Sequence, residues 1–279
     1  MVPPRHLVDE IIRLGIQEDI GHGDLTTNCC IPAGLCVTAH VIAKSPGVVC
    51  GIHIAEMVFK SLDPGIDWEP IASDGDVITG GREILAKLSG SAQSVLSGER
   101  LALNLMQRMS GVATLTRKYV DLVRGTSARI VDTRKTTPGL RVLEKYAVTV
   151  GGGRNHRTGL FDAVMIKDNH IRACGSITAA VNAVKNAVGH TTSIEVETTN
   201  LDEVEEALQS GVQIILLDNM DLTHMREAVR LVAGRALTEA SGGITIETVR
   251  SIAETGVNVI SVGALTHSVV SMDISLDIV

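Results

Sequence analysis

Apolar positions near the start of the chain recur three and four apart, at Leu7, Val8, Ile11, Ile12 and Leu14. That spacing predicts an amphipathic helix. A polar loop rich in Gly and Asp follows, Glu18-Asp-Ile-Gly-His-Gly-Asp-Leu-Thr-Thr. Cys36 to Ala43 and Gly47 to Gly51 read as strands around a Ser-Pro-Gly turn. More strands are expected between Asp67 and Leu88, broken by Ser-Asp-Gly-Asp and Gly-Gly. A long helical pattern runs from about Ser91 to Leu122, with a break expected near Gly111.

From Ala128 the rhythm changes. Short β-branched runs recur: Arg129-Ile-Val-Asp, Ala163-Val-Met-Ile, Ser193-Ile-Glu-Val, Gln213-Ile-Ile-Leu-Leu, Ala236-Leu-Thr and Val259-Ile-Ser-Val. Helical segments separate several of them, at Leu201 to Ser210, Leu222 to Val232 and Thr245 to Thr255. Strand followed by helix, repeated, predicts a parallel sheet in an α/β barrel or part of one. Six strands fall short of a full eight-stranded barrel, and a doubly wound open sheet satisfies the same pattern. The chain ends on alternation, with Met272, Ile274, Leu276 and Ile278 against Asp273, Ser275 and Asp277. This predicts a half-buried strand returning to the N-terminal sheet.

Composition narrows the function. The net charge is −7, and aromatic residues make up 2% of the chain. Few stacking platforms and an acidic balance argue against a nucleic-acid partner. No apolar run approaches the length of a membrane span, and Met-Val-Pro-Pro-Arg-His is no apolar leader. The five cysteines form neither a CxxC pair nor an even framework, so reduced thiols in a cytoplasmic protein are expected. Charge is unevenly placed: Thr133 to Arg172 holds eight Lys/Arg against three acids, whereas Glu195 to Glu254 holds four Arg against twelve acids.

The residues that end each apolar run give that asymmetry a location. Thr133, Arg134 and Lys135 follow the first run, and Lys167 the second. Glu197 ends the third, and Asp218 and Asn219 the fourth. Ser241-Gly242-Gly243 follows the fifth and Gly263 the sixth. In a parallel barrel these ends share one face, the face that carries active sites. Glycine turns ahead of a helix near Thr245 and of a short segment at Thr266 suit phosphate, because bare N–H groups can approach an anion there. Glu197 and Asp218 suit Mg²⁺ or an acid/base pair equally. Gly151-Gly-Gly-Arg-Asn-His-Arg is a loop unusually dense in donors.

Longer motifs carry a resemblance. Asp132-Thr-Arg-Lys-Thr-Thr-Pro-Gly-Leu-Arg, Glu144-Lys-Tyr-Ala-Val, Gly151-Gly-Gly-Arg-Asn-His-Arg and Ile166-Lys-Asp-Asn-His-Ile resemble the quinolinate phosphoribosyltransferase family. So do Ser97-Gly-Glu-Arg-Leu-Ala-Leu-Asn, Glu195-Val-Glu, Glu239-Ala-Ser-Gly-Gly-Ile and Val262-Gly-Ala-Leu-Thr-His-Ser, which extend the likeness along the chain. The resemblance implies transfer of the phosphoribosyl group of phosphoribosyl pyrophosphate (PRPP) to quinolinate, with decarboxylation, in NAD biosynthesis. It implies a type II phosphoribosyltransferase-like fold, an N-terminal α/β sandwich plus an incomplete α/β barrel. The expected domains are residues 1–110, joined by a strand at 270–279, and 111–269. It further implies Mg²⁺ and a homodimer, or an assembly of dimers, with shared active sites.

The same resemblance assigns residues. Quinolinate contacts fall on Arg134, His156, Arg157 and Lys167, with Arg100 supplied by the neighbouring chain. Thr133 and Lys135 flank them, and Lys135 also suits PRPP. Glu197 and Asp218 match acids near the metal and the ribose. Ser241, Gly242, Gly243, Gly263 and Ala264 match the 5-phosphate loops.

Overall fold

A computed structural model describes residues 2–279. The chain opens with helices α1 (Arg5–Asp19) and α2 (Leu25–Cys30), then strands β1 (Cys36–Ala43) and β2 (Gly47–Val48). Helix α3 (Ile52–Leu62) precedes β3 (Asp67–Pro70), β4 (Val77–Ile78), β5 (Glu83–Ser91) and the long α4 (Ala92–Leu122). Next come β6 (Arg129–Val131), α5 (Arg141–Val150), β7 (Val164–Ile166), α6 (Asp168–Cys174), α7 (Ile177–Ala187) and β8 (Ile194–Thr198). The last part holds α8 (Leu201–Gln209), β9 (Ile214–Asp218), α9 (Leu222–Val232), β10 (Leu237–Ser241), α10 (Val249–Ala253), β11 (Val259–Ser261), α11 (Ala264–His267) and β12 (Ile274–Ile278). Among the described residues no helix is long and apolar enough to cross a membrane.

Two compact units result. One comprises the chain up to Arg117, Thr136–Gly152 and Leu265–Val279; the other comprises Lys118–Lys135 and Gly153–Ala264. The stretch from Thr136 to Gly152, counted by sequence with the larger domain, therefore packs with the smaller sheet.

The first unit is built on an antiparallel sheet of order β12-β1-β5-β3. The terminal strand pairs with β1 in the register Ala39↔Ile278, Val41↔Leu276, Ala43↔Ile274. Its alternation has a direct cause: Ile274 and Leu276 are buried, and Ser275 and Asp277, each one residue further on, are not. Val8 and Ile12 of α1, and Ile54, Ala55, Val58 and Phe59 of α3, complete the buried apolar layer. Helix α3, not among the elements expected from sequence, starts at Gly51 with no side-chain cap of its own. Asp74 supplies one instead, accepting from Gly51 N–H at 2.8 Å and Ile52 N–H at 3.0 Å, while Tyr146 of α5 donates to its other oxygen at 2.7 Å.

Helix α4 is continuous through Gly111, contrary to the expected break. The glycine is there for clearance, since a Cβ would run into the carbonyl oxygen of Val270. A helical glycine normally costs up to about 1 kcal/mol relative to alanine.

The second unit holds a six-stranded parallel sheet of order β6-β11-β10-β9-β8-β7. Strands β7 to β11 lie side by side in chain order, and β11 then pairs with β6 through Val259↔Arg129 and Ser261↔Val131. That is a barrel wrapping onto its first strand but left open between β6 and β7. The seam is partly lined by the segment after α5: Arg154 bridges Val131 in parallel, and its N–H donates to Ile130 O at 2.9 Å. The unbroken chain order from β7 to β11, with no reversal of strand order, makes this the incomplete barrel and not the doubly wound open sheet that the sequence pattern also allowed. All six strands end on one rim, with helices α7, α8 and α9 started by the caps Ser176, Asn200 and Asp221.

Helix α10 is shorter than expected and begins at Val249 rather than Thr245. Thr245, Ile246 and Thr248 are β-branched, and Thr245 N–H bonds to Thr248 Oγ1 in a turn.

Gly111→Ala gains helix propensity and still destabilises, by roughly 2 kcal/mol, because overpacking against a backbone carbonyl outweighs it. Thermal unfolding checks this, and an unchanged or raised Tm would contradict the clearance role.

Candidate active site

The C-terminal rim of the parallel sheet surrounds a cavity of about 620 Å³. Every site position assigned from sequence lines it except Arg100, Gly263 and Ala264. Arg100 belongs to the first unit, is largely exposed, and lies 3.6 Å from Glu99. Gly263 and Ala264 follow β11, outside the lining.

Strand order arranges this lining by chemistry. Going round the rim, β6 brings Thr133, Arg134 and Lys135, the seam brings His156 and Arg157, and β7 brings Lys167. Strand β8 then brings Glu197, β9 brings Asp218, and β10 brings Ser241, Gly242 and Gly243. Cations, carboxylates and glycines occupy three successive arcs. Lys167 Nζ and Glu197 Oε2 meet at 3.1 Å where the first two arcs join. The lysine side chain is half exposed, so the pair is worth no more than about 1 kcal/mol. Its geometry is fixed from the backbone: Lys167 caps α6, and its N–H donates to His170 Nδ1 at 2.9 Å.

The glycine arc is sterically required. Gly242 has φ +94° and Gly243 φ +59°, the left-handed region that glycine tolerates. A Cβ on Gly242 would collide with the side-chain amide of Asn219, itself at φ +53°. That amide donates to Asp218 Oδ2 at 2.9 Å, and Asn219 N–H donates to Ser241 O at 2.9 Å, locking the two loops together. Because α10 starts only at Val249, an anion here would meet the turn's own N–H groups rather than a helix start. This corrects the expected helix at Thr245.

One layer below the rim lies a pair of acids that the strand ends do not reveal. Glu195 and Glu239 stand two residues before Glu197 and Ser241, on the same strand faces. Both side chains are nearly inaccessible, at 4% and 3%. They converge on His156, whose Nε2 lies 3.0 Å from Glu195 Oε2 and 3.6 Å from Glu239 Oε1. The period-two pattern of acids inside apolar strands points to them in the sequence, as do the family motifs Glu195-Val-Glu and Glu239-Ala-Ser that begin on them. Burial, and then the charge of Glu195, push the Glu239 carboxyl up to about 7, with His156 opposing. Arg157 is affected similarly: burial and neighbouring Arg134 lower its proton affinity, while Glu195 and Asp162 raise it.

Two groups of side chains could hold a metal. The ligating atoms of His156, Glu195 and Glu239 lie within 4.8 Å of one another. There, however, His156 Nδ1 accepts the Arg157 N–H at 2.8 Å, which leaves the ring proton on Nε2 toward the carboxylates. Glu197 and Asp218, hard oxygen donors on adjacent strands at the open rim, are the better match to a divalent cation that bridges to phosphates.

Comparison with known proteins decides the family. The model for the quinolinate phosphoribosyl transferase N-terminal domain matches residues 24–110, and that for its C-terminal domain matches residues 112–277. The chain belongs to this family. An Arabidopsis thaliana relative, the chloroplastic nicotinate-nucleotide pyrophosphorylase (carboxylating), is 46% identical, with 99% of this chain and 85% of the relative covered. The nicotinate-nucleotide pyrophosphorylase structure from Ehrlichia chaffeensis superposes with a TM-score of 0.93 at 43% identity, covering 97% of this chain and 98% of that one. The Francisella tularensis structure of the same name gives 0.94 at 38% identity, covering 99% and 97%. The α/β fold with an open barrel, expected from the family resemblance, is therefore the family's fold.

Glu239 yields a pH prediction. Its folded-state pKa lies above the ordinary 4.5, so the native protein holds a proton that the unfolded chain releases between about pH 4.5 and 7. Stability from this group is full below that window and is lost as pH rises through it. Glu239→Gln removes the loss, so between pH 5 and pH 8 the wild type should fall by on the order of 2 kcal/mol relative to the variant. Denaturant unfolding at the two pH values measures it; parallel curves would contradict the shift.

Proposed function

We propose that this chain transfers the phosphoribosyl group of PRPP to quinolinate and decarboxylates the adduct, giving nicotinate mononucleotide, pyrophosphate and CO₂ in NAD biosynthesis. The ordered arcs of the rim carry this reading: a cationic arc, a carboxylate arc and a glycine arc around one cavity. Quinolinate bears two carboxylates on adjacent carbons, which suits paired guanidinium groups. Arg134, Arg157 and Lys167 form that acceptor pocket, with His156 at its floor and Thr133 at its edge. Lys135, next along the chain after β6, lies between the acceptor and the anionic donor.

PRPP takes the other half of the cavity. Ser241, Gly242 and Gly243 offer N–H and hydroxyl donors to its 5-phosphate, with Gly263 after β11 and Ala264 at the start of α11 as further candidates. Glu197 and Asp218 would hold Mg²⁺, which neutralises the departing pyrophosphate when bound. As the C1–O bond to pyrophosphate breaks, positive charge grows on the ribose, and the two carboxylates stabilise it electrostatically. The pyridine nitrogen forms the new bond to C1 and becomes cationic. The C2–carboxylate bond then breaks, its electron pair stays at C2 beside that cation, and C2 takes up a proton. This step needs orientation and exclusion of water more than a dedicated base.

A homodimer completes the pocket in this reading, with Arg100 reaching the acceptor site of the neighbouring copy. Its exposed guanidinium supports that role, as does the apolar surface of Leu160 and Phe161, which are 73% and 86% exposed just beyond Arg157. We place the activity in the cytoplasm; all five cysteines are free.

Arg157→Ala and Lys135→Ala should each lower kcat/KM at least a hundredfold with the circular dichroism spectrum retained; wild-type turnover by either overturns its role. Chelation should abolish activity and added Mg²⁺ restore it. Mixing Arg100→Ala with Lys167→Ala chains should recover activity through wild-type-like sites in mixed dimers. Absence of recovery, once subunit exchange is verified, counts against a shared pocket.

A further inference from the structure

The acceptor pocket's floor shows how Arg157 is held. His156 is engaged on three sides. Its backbone N–H donates to Asp132 Oδ1 at 2.9 Å, and Asp132 is fully buried. Its ring Nδ1 accepts the Arg157 N–H at 2.8 Å. A ring nitrogen that accepts carries no proton, so the proton sits on Nε2 and is donated to Glu195 at 3.0 Å. Flipping the ring, or adding a second proton, breaks the bond to Arg157. One guanidinium N–H of Arg157 also donates to Ala163 O at 3.2 Å, which leaves the rest of the fork toward the cavity.

Besides meeting His156, Glu195 acts on Arg157 through its charge, and Glu239 has a hydrogen bond with the Ser261 side chain. Each leaves its buried Oε1 without a hydrogen-bond partner, a costly arrangement in a purely structural residue, and in Glu239 that oxygen is the one facing His156 Nε2 at 3.6 Å, within reach of its charge but not hydrogen-bonded. They come from β8 and β10, with β9 between them, so only a group on the barrel axis can meet both. His156 is that group.

We propose that Glu195, assisted by Glu239, is a positioning residue for acceptor recognition: it fixes the tautomer and orientation of His156, and His156 in turn sets the backbone of Arg157. This rests on the acceptor-site reading above. The consequence is selective. Loss of the Glu195 contact should loosen quinolinate and leave PRPP, whose assigned contacts lie at the rim and include neither His156 nor Arg157, nearly untouched. What the ring needs from residue 195 is an acceptor, and an amide oxygen can supply one.

The experiment compares Glu195→Ala, Glu195→Gln and Glu239→Gln by steady-state kinetics with both substrates varied. Expected are a quinolinate KM raised at least tenfold in Glu195→Ala and at most threefold in Glu195→Gln. The PRPP KM should stay within twofold throughout, and Glu239→Gln, at the longer distance, should fall between wild type and Glu195→Ala. A PRPP KM that rises in step with the quinolinate KM, or a glutamine as damaging as the alanine, overturns the proposal. Should Glu195→Ala not fold, the His156 ring decides. Its ¹⁵N shifts in the wild-type protein, assigned against His156→Asn, should show a protonated Nε2 and a bare Nδ1 at pH 7.5; a protonated Nδ1 overturns it. Failure of the wild type to release CO₂ from quinolinate with PRPP sinks the function reading instead, and the ring measurement then tests the positioning of His156 on its own.

Discussion

Like charges gathered on one arc of a barrel rim repel, and the cavity depends on that repulsion being held in check. Two cations a few ångström apart near a protein surface cost on the order of 3 kcal/mol. Arg157 registers the strain: burial and Arg134 together weaken its hold on a proton. The opposing anions are all close by. Glu195 sits below and Asp162 beside, where it accepts the N–H groups of Thr158 and Gly159 at 2.6 and 2.9 Å. Glu197 pairs with Lys167 from the next strand. The acidic stretch of sequence from Glu195 onward and the basic stretch before it are two sides of one balance, brought together because β7 and β8 are neighbours.

The open seam makes this balance possible. A closed barrel would place another strand between β6 and β7. Here the segment around Arg154 bridges β6 for a single residue and then leaves, which lets His156 turn inward and Arg157 toward the cavity. The seam exchanges a ladder of backbone bonds for two functional side chains on consecutive residues, and Asp132 ties them back by accepting the His156 N–H. In the other unit, Arg108 and Glu144 form a comparable pair at 2.8 Å, with Thr137 donating to the same carboxylate. That network fixes the chain soon after it leaves Lys135.

Which parts are readable in the sequence follows from how local their causes are. The six barrel strands are plain, because each is a β-branched run with polar residues at its end. The terminal strand is plain because its alternation is strict. Helices α3, α5, α6 and α7 are not. Helix α3 carries its own apolar stripe, yet its start depends on Asp74, more than twenty residues away, and no nearby capping signal marks it. The glycine at 111 reads as a break unless Val270, at the far end of the chain, is known to approach it. The rim residues are legible as strand-end chemistry, and the family motifs sharpen them. Glu195 and Glu239 are not, since an acid inside an apolar strand gains meaning only when a third group from a distant loop is seen to meet it. The glycine turn is legible in its residue type but not in its neighbour: its backbone is constrained by Asn219, not by a helix beginning at Thr245.

The charge balance also bears on how a turnover would end. On the proposed function, quinolinate would arrive as a dianion, and its two adjacent carboxylates would offset the crowding of Arg134, Arg157 and Lys167. Departure of CO₂ removes one of those carboxylates while the new glycosidic bond places a positive charge on the pyridinium nitrogen. The acceptor pocket then faces a ring that is a zwitterion apart from its distant phosphate. A cationic arc that had drawn the substrate would then hold the product less well, and Lys167 would return to Glu197, its partner at 3.1 Å in the ligand-free protein. A weak, half-exposed ion pair is suited to this exchange: a stronger one would compete with quinolinate, and none at all would leave the lysine to retain the product. Binding and release would thus turn on the same group of charges, and the ring's negative charge falls in two stages, once when the ring nitrogen becomes cationic and again when C2 takes up a proton after CO₂ has left.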